Sequence, residues 1–224
     1  MNWNLSASEA INIQQKLFRE VELCPCAVES ISIVCGCDVS YRTNNGQIIG
    51  QAAVINWEIR ERVVLEQKLA VQEVVFPYIP GLLSFREIPP LLSALDALEE
   101  TPHILLVDGQ GIAHPRRFGL ASHLGLVLQK PTIGCAKSKL IGTYNEPARQ
   151  KGSMEPLFHK NEQIGTVVRS RDKKKPLFVS PGHLIDHGSA VAIILKTLGK
   201  YRLPEPLRLA HHFSRNRPAE NSTR

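Results

Sequence analysis

The run HILLVD at 103–108, followed by GQG at 109–111, constrains the fold more than any other segment of the chain. Four apolar residues between polar ends predict a buried strand. A carboxylate at the carboxyl end of such a strand, followed by glycine, lies where open α/β sheets place their ligands. A second acid, Asp38, lies within the apolar run 31–41. Because a buried acid is costly unless a cation compensates it, Asp38 and Asp108 together predict a metal site.

The apolar pattern predicts an α/β sheet with helices on its faces. The expected helices cover 7–23, 84–99, 117–129 and 186–199. The expected strands cover 30–42, 47–57, 62–73, 103–108 and 131–135, with a hairpin across 163–180. The turn TNNG at 43–46 predicts that the first three strands form an antiparallel meander. The helix that follows would return strand 103–108 beside the first strand.

Three further expectations concern the organisation of the chain. Pro89 and Pro90 are expected in the first turns of helix 84–99, where proline is tolerated. The chain shows no linker or repeat, so 1–224 is treated as one domain. The polar and basic segment 214–224 is expected to be a disordered tail.

The alternation of side chains in the first strand indicates where Asp38 points. Asp38 shares a strand face with Gly36 and Ser40, whereas Cys35 and Cys37 lie on the opposite, apolar face. The small residues beside Asp38 are expected to leave room for a ligand.

Charge is distributed unevenly along the 224 residues. Residues 1–100 hold 7 Lys and Arg against 13 Asp and Glu, whereas 101–224 hold 20 against 8. This asymmetry favours a polyanion held beside a metal site. The alternative is that lysines merely keep the surface soluble, and for KKK at 173–175 taken alone that is the better interpretation.

The composition also narrows the class of protein. No apolar run reaches the ~20 residues that a membrane helix needs. The amino terminus does not have the pattern of a secretory signal, which predicts a cytoplasmic or nucleoid location. The pairs Cys24/Cys26 and Cys35/Cys37 allow a zinc interpretation, but paired zinc cysteines are usually separated by two to four residues. Packing as small apolar groups is the favoured interpretation.

The segment VFPYIPGLLSFRE at 75–87 carries an unusual loop. Pro77 and Pro80 stiffen the pair Tyr78 and Ile79, and a rigid aromatic tip beside a carboxylate is suited to enter a base stack. The alternative is a proline-rich loop whose tyrosine packs on the core, and for this segment taken alone that is the favoured interpretation.

Six segments resemble the motifs of one known family, endonuclease V, and they occur in that family's order between about residue 10 and residue 213. They are FPYIPGLLSFRE (76–87), VDGQGIAHPR (107–116), FGLASHLG (118–125), GCAKSKL (134–140), SPGH (180–183) and YRLPEP (201–206).

The resemblance implies a ribonuclease H-like fold, with a mixed central sheet and helices on both faces. It implies a DNA repair endonuclease that recognises deoxyinosine. Such an enzyme hydrolyses the second phosphodiester bond on the 3′ side of the lesion and leaves 3′-hydroxyl and 5′-phosphate ends. It depends on Mg²⁺, for which Mn²⁺ can substitute. Some relatives cut inosine-containing RNA, and we expect a monomer.

The resemblance also implies roles for individual residues. Asp38, Glu87 and Asp108 would be the metal carboxylates, and Lys137 would lie near the scissile phosphate. His211 matches a position near the metal that is aspartate in some relatives, which leaves its role as a ligand open.

The remaining implied roles concern the DNA. His114, in the active-site motif, would be catalytic, and a loop histidine with a structural role is the alternative. Tyr78, Ile79 and Pro80 would separate the strands. Gly81, Gly109 and Ala136 would read the flipped base through backbone groups, but tight turns explain the two glycines equally well.

Two other functional classes are consistent with parts of the sequence. A Holliday-junction resolvase or a ribonuclease H would share the fold and the acids, but not the strand-separating wedge formed by Tyr78, Ile79 and Pro80. A non-catalytic nucleic-acid-binding module would need only the basic second half. Metal-dependent nicking of a duplex that contains one inosine distinguishes all three.

Overall fold

The computed structural model describes residues 3–216, and the first half of this region follows the expected pattern. Helix α1 (Ala7–Leu17) begins at a capping box formed by Ser6 and Glu9. Strands β1 (Ile33–Asn44), β2 (Gln47–Glu58) and β3 (Val63–Glu73) form the predicted antiparallel meander.

The crossover that follows is also as predicted. Helix α2 (Leu83–Asp96) leads to β4 (Ile104–Val107), which pairs in parallel with β1. Helix α3 (Leu120–Leu128) then leads to β5 (Thr132–Ala136), which is parallel to β4.

The position expected for Pro89 and Pro90 is wrong, because they are the seventh and eighth residues of α2. Proline has no N–H to donate, so the helix cannot form the two bonds to the carbonyls of Phe85 and Arg86. Packing outweighs this loss, since Ile88, Leu91 and Ala94 of the same helix are fully buried.

The last third of the described chain contains two elements that the sequence pattern did not predict. Strands β6 (Met154–His159), β7 (Glu162–Val168) and β8 (Leu177–His183) form an antiparallel extension, and β6 was not expected. Helix α4 (His187–Thr197) was expected, whereas α5 (Glu205–Arg215) was not.

Within residues 3–216, all eight strands form one mixed sheet in the order β3-β2-β1-β4-β5-β8-β7-β6. Helices α4 and α5 pack on one face through a cluster that includes Val34, Leu106 and Leu207. Helices α2 and α3 pack on the other face, around Cys35 and Leu105. The predicted mixed sheet with helices on both faces is therefore confirmed. Cys35 and Cys37 belong to this apolar core.

Helix α5 corrects two expectations. The predicted disordered tail at 214–224 is wrong at its start, because α5 extends to Arg215; residues 217–224 lie outside the described part. The expected free space beside Gly36 is also absent, because α5 fills it. A Cβ atom on Gly36 would lie 2.2 Å from the Pro206 carbonyl oxygen. Glycine here allows close approach of a helix rather than of a ligand.

No helix within residues 3–216 is long and apolar enough to cross a membrane.

Candidate functional site

The strand register places Asp38 and Asp108 side by side. Cys37 of β1 pairs in parallel with Val107 of β4, and the Asp108 N–H donates to the Cys37 carbonyl at 3.2 Å. The residue after each member of this pair is an aspartate, and adjacent strands are about 4.8 Å apart. Two acids that are far apart in sequence therefore become neighbours on one face of the sheet.

Helix α5 brings two more polar groups to this position. The His211 Nδ1 atom lies 3.2 Å from Asp38 Oδ2, and the Ser214 hydroxyl donates to the same oxygen at 2.7 Å. Three residues, Asp38, Asp108 and His211, each offer one ligand atom, and these three atoms lie within 4.8 Å of one another. Two carboxylates and an imidazole so close together can hold a divalent cation.

Glu87 lines the same cleft, of about 950 Å³, but it does not belong to this tight group of three. Its side chain is buried, and the Tyr41 hydroxyl donates to Glu87 Oε1 at 3.1 Å. Burial, reinforced by the charges of Asp38 and Asp108, raises the pKa of Glu87 to about 8. A cation in the cleft would offset this concentration of negative charge, so the donor set fits a metal ion.

Lys137 follows β5 and forms an ion pair with Asp108. Burial raises the pKa of Asp108, and the Lys137 ammonium opposes this shift. Lys137 therefore lies directly beside the candidate metal ligands.

The loop that carries Tyr78 projects from the surface. The Tyr78 side chain is 70% exposed, so the alternative in which it packs on the core is wrong. The buried ring of Phe76 anchors one side of the loop.

Gly81 anchors the other side of the loop. It has a φ of +80°, a conformation that favours glycine. The Gly81 carbonyl accepts hydrogen bonds from Gln14 Nε2 (3.1 Å), His114 Nε2 (3.1 Å) and Arg116 Nη2 (2.8 Å). Three donors leave this carbonyl without capacity to read a base.

His114 is buried, and both of its ring nitrogens have partners. The Arg116 N–H donates to Nδ1 at 3.2 Å, so Nε2 carries the proton that it donates to Gly81. Burial, and secondarily the nearby Arg116 charge, lowers the pKa of His114 to about 4. The neutral imidazole thus holds the base of the Tyr78 loop.

A cavity of about 390 Å³ lies between this loop and the metal cleft, within the range of roughly 300–1,000 Å³ typical of small-molecule sites. Among the residues that line it are all six predicted for strand separation and base recognition: Tyr78, Ile79, Pro80, Gly81, Gly109 and Ala136. Asp108 and Lys137 line both the cavity and the metal cleft. A base in the cavity would therefore lie beside the acids.

Sequence reasoning missed Ser214, because the segment was assigned to a tail. A helical signal was available, since Leu207, Ala210 and Ser214 have i, i+3, i+7 spacing and all three are buried.

Comparisons with known proteins show which proteins this chain resembles. The family model for endonuclease V matches residues 15–212. The chain is 47% identical to the endonuclease V of Nostoc punctiforme over 208 residues, which cover 93% of each protein. The crystal structure of Bacillus subtilis endonuclease V is similar with a TM-score of 0.91, 30% identity and coverage of 96% of this chain and 93% of that one.

A further similar structure contains DNA. It is the Ciona intestinalis endonuclease V in complex with a 24mer DNA that contains an inosine followed by a ribo-adenosine. Its TM-score is 0.81 and its identity 27%, with coverage of 93% of this chain and 95% of that one. The expected ribonuclease H-like fold is confirmed by these neighbours.

Proposed function

This chain belongs to the endonuclease V family, and we propose that it cuts DNA next to deoxyinosine. The specific reaction is hydrolysis of the second phosphodiester bond on the 3′ side of the lesion, which leaves 3′-hydroxyl and 5′-phosphate ends. One observation carries the proposal: the ligand atoms of Asp38, Asp108 and His211 converge beside a cavity that adjoins the Tyr78 loop. The inosine-containing DNA bound by the Ciona relative supports the choice of substrate.

Asp38, Asp108 and His211 would hold the catalytic ion, and Glu87 would contribute from the wall of the cleft. Mg²⁺ suits a site rich in carboxylates, and Mn²⁺ is the expected substitute. When bound, the ion supplies charge neutralisation and a water of lowered pKa for attack on phosphorus. The Lys137 ammonium, already beside Asp108, would contact the scissile phosphate.

Lesion recognition would require the base to leave the helical stack, which costs a few kcal/mol and least at a weakened pair. Tyr78 would occupy the vacated space, because its side chain is exposed on a loop that Pro77 and Pro80 stiffen. Ile79, which is half-buried against the cluster that contains Phe76, would support it from below. Hypoxanthine offers an acceptor and a donor where adenine offers a donor and an acceptor. Backbone groups of fixed polarity at Gly109 and Ala136 would therefore reject adenine.

The role we assign to His114 is positioning rather than proton transfer. Its two nitrogens are engaged with Gly81 and Arg116, and burial keeps it neutral. It would act by fixing the entrance of the base cavity.

A nicking assay tests the proposal on matched duplexes that carry either one inosine or one adenine, with Mg²⁺ or with EDTA. We expect Mg²⁺-dependent cutting of the inosine strand alone, at the second bond. Asp108→Asn should lower the rate by at least about 10³-fold, whereas Asp96→Asn, an exposed acid on α2, should not change it. Equal cutting of both duplexes would contradict the proposal.

The same assay on an inosine-containing RNA strand tests whether this chain also cuts RNA. The monomeric state, the single-domain organisation and the cytoplasmic location stay predictions from the sequence.

A further inference from the structure

A second, basic groove adjoins the active site at Lys137. It has a volume of about 720 Å³, and among the described residues seven lysines and arginines line it together with a single acid, Glu146. That acid is paired with Arg169 at 2.5 Å. The groove therefore has a large excess of positive charge, and Lys137 is common to the groove, the metal cleft and the base cavity.

Arg169 holds the two loops that form the rim of the groove. It is only 5% exposed, which is unusual for an arginine. Its guanidinium donates to the carbonyls of Pro147 (2.8 Å) and Ala148 (3.1 Å) on one loop, and to that of Lys174 on the other. Four of its five N–H donors are engaged within the protein, counting the pair with Glu146, and the side chain is buried, so it acts by fixing the lysines around it.

Two further hydrogen bonds from backbone N–H groups join the same loops. The Lys173 N–H donates to the Arg149 carbonyl at 2.9 Å, and the Lys151 N–H donates to Asp172 Oδ1 at 2.6 Å. The rim is therefore a cross-linked structure rather than a free hairpin tip.

Arg202 connects this rim to the active site. Its Nη2 group donates to the carbonyls of Lys137 (2.6 Å) and Pro176 (2.7 Å), and its Nε group donates to that of Lys175 at 2.8 Å. One guanidinium thus fixes the backbone of the catalytic-site lysine relative to the lysine-rich loop.

The floor of the groove is aromatic. The rings of Tyr144 and Phe178 pack edge to face with centroids 5.5 Å apart, and the Lys139 ammonium lies 5.5 Å from the centre of the Tyr144 ring. Tyr144 is only half-buried. Cationic rims over aromatic side chains are typical of surfaces that bind a nucleic-acid strand.

We propose that this groove binds consecutive phosphates of the substrate strand next to the scissile phosphate, with Lys173, Lys174 and Lys175 as the phosphate contacts. Arg169 and Arg202 are the positioning residues. The inference rests on the proposed function for the location of the scissile phosphate. It replaces the interpretation of the three lysines as a solubilising run, because solubility requires neither fixed loops nor a connection to Lys137.

The test compares two triple variants that remove the same charge. One is Lys173→Ala/Lys174→Ala/Lys175→Ala. The control is Lys16→Ala/Lys160→Ala/Lys200→Ala, at three exposed lysines that do not line the groove.

The probe is a fluorescein-labelled DNA strand that carries one inosine, and its affinity is measured across a salt series. Each lost phosphate contact should lower the salt slope by about 0.7–0.9. We expect the groove variant to bind about 10-fold more weakly, with a slope lower by about two to three, and the control to change less than about twofold.

Strand length provides the decisive comparison. The labelled strand is shortened in steps from its 5′ end in one series and from its 3′ end in the other. If the groove follows the DNA backbone, the loss of affinity in the groove variant disappears when one particular end of the strand is shortened. The variant Lys173→Arg/Lys174→Arg/Lys175→Arg, which keeps the charge, then binds like the unaltered chain. A defect of the same size at every length, or equal behaviour of the two triple variants, would overturn the proposal.

The test of the groove can be decided independently of the test of the proposed function. If the unaltered chain binds inosine and adenine strands equally, deoxyinosine specificity fails, while the length series still decides on the groove.

Discussion

Replacing Ser214 with alanine should weaken metal binding without touching a metal ligand. Ser214 is 1% exposed, and its hydroxyl donates to Asp38 Oδ2 at 2.7 Å, which fixes the orientation of that carboxylate. A hydrogen bond to a charged group contributes about 1.5–3 kcal/mol. Loss of a partner that orients a metal ligand typically lowers metal affinity by about 10–100-fold.

The effect should appear in the metal dependence of nicking rather than in its maximum. In Ser214→Ala, we expect the Mg²⁺ concentration at half-maximal rate to rise by about 10–100-fold, with a rate at saturating Mg²⁺ within a few-fold of the unaltered chain. Ser214→Thr, which keeps the hydroxyl, should restore most of the affinity.

Ser122→Ala is the matched control, because within residues 3–216 the Ser122 hydroxyl is buried without a hydrogen-bond partner. It should leave the Mg²⁺ dependence unchanged. The reasoning would be refuted if Ser214→Ala had the Mg²⁺ dependence of the control, or if Ser214→Thr were as impaired as the alanine variant.

Three further outcomes are expected. Tyr78→Ala should reduce nicking of inosine in a duplex by at least about 10-fold more than in a single strand, because only the duplex must be opened; equal losses in a kinetic comparison would count against the wedge. Gly36→Ala should destabilise the protein by about 1–3 kcal/mol in denaturant melts and impair nicking, since its Cβ would lie 2.2 Å from the Pro206 oxygen and displace α5. Burial lowers the pKa of His123 to about 3, so the unfolded chain binds a proton more readily and stability falls as the pH drops from about 6.5 towards 3. His123→Phe should reduce this loss of folding stability by about 2 kcal/mol at about pH 5. If the pH dependence of unfolding is unchanged in this variant, His123 is not the group responsible.

The sequence predicted the parts of the site that local pattern determines. The apolar run before Asp108 and the turn at Asn45 and Gly46 after β1 specify strands and their order, and the register of parallel strands then brings Asp38 beside Asp108. The role of the Tyr78 loop was predicted only from the resemblance of long motifs, because local pattern alone favoured packing of Tyr78 on the core, which is wrong. The strands and the Tyr78 loop were predictable because each depends on residues close together in the chain.

The contributions of α5 were not predictable in the same way, because they depend on close approach between distant segments. Gly36 was interpreted as space for a ligand, but the same absence of a side chain admits the backbone at Pro206. That approach is what places His211 and Ser214 on Asp38. The glycine and the helix therefore constitute one structural feature. A small residue beside a candidate ligand on a strand is evidence of a close neighbour, and only the rest of the fold decides whether that neighbour is substrate or protein.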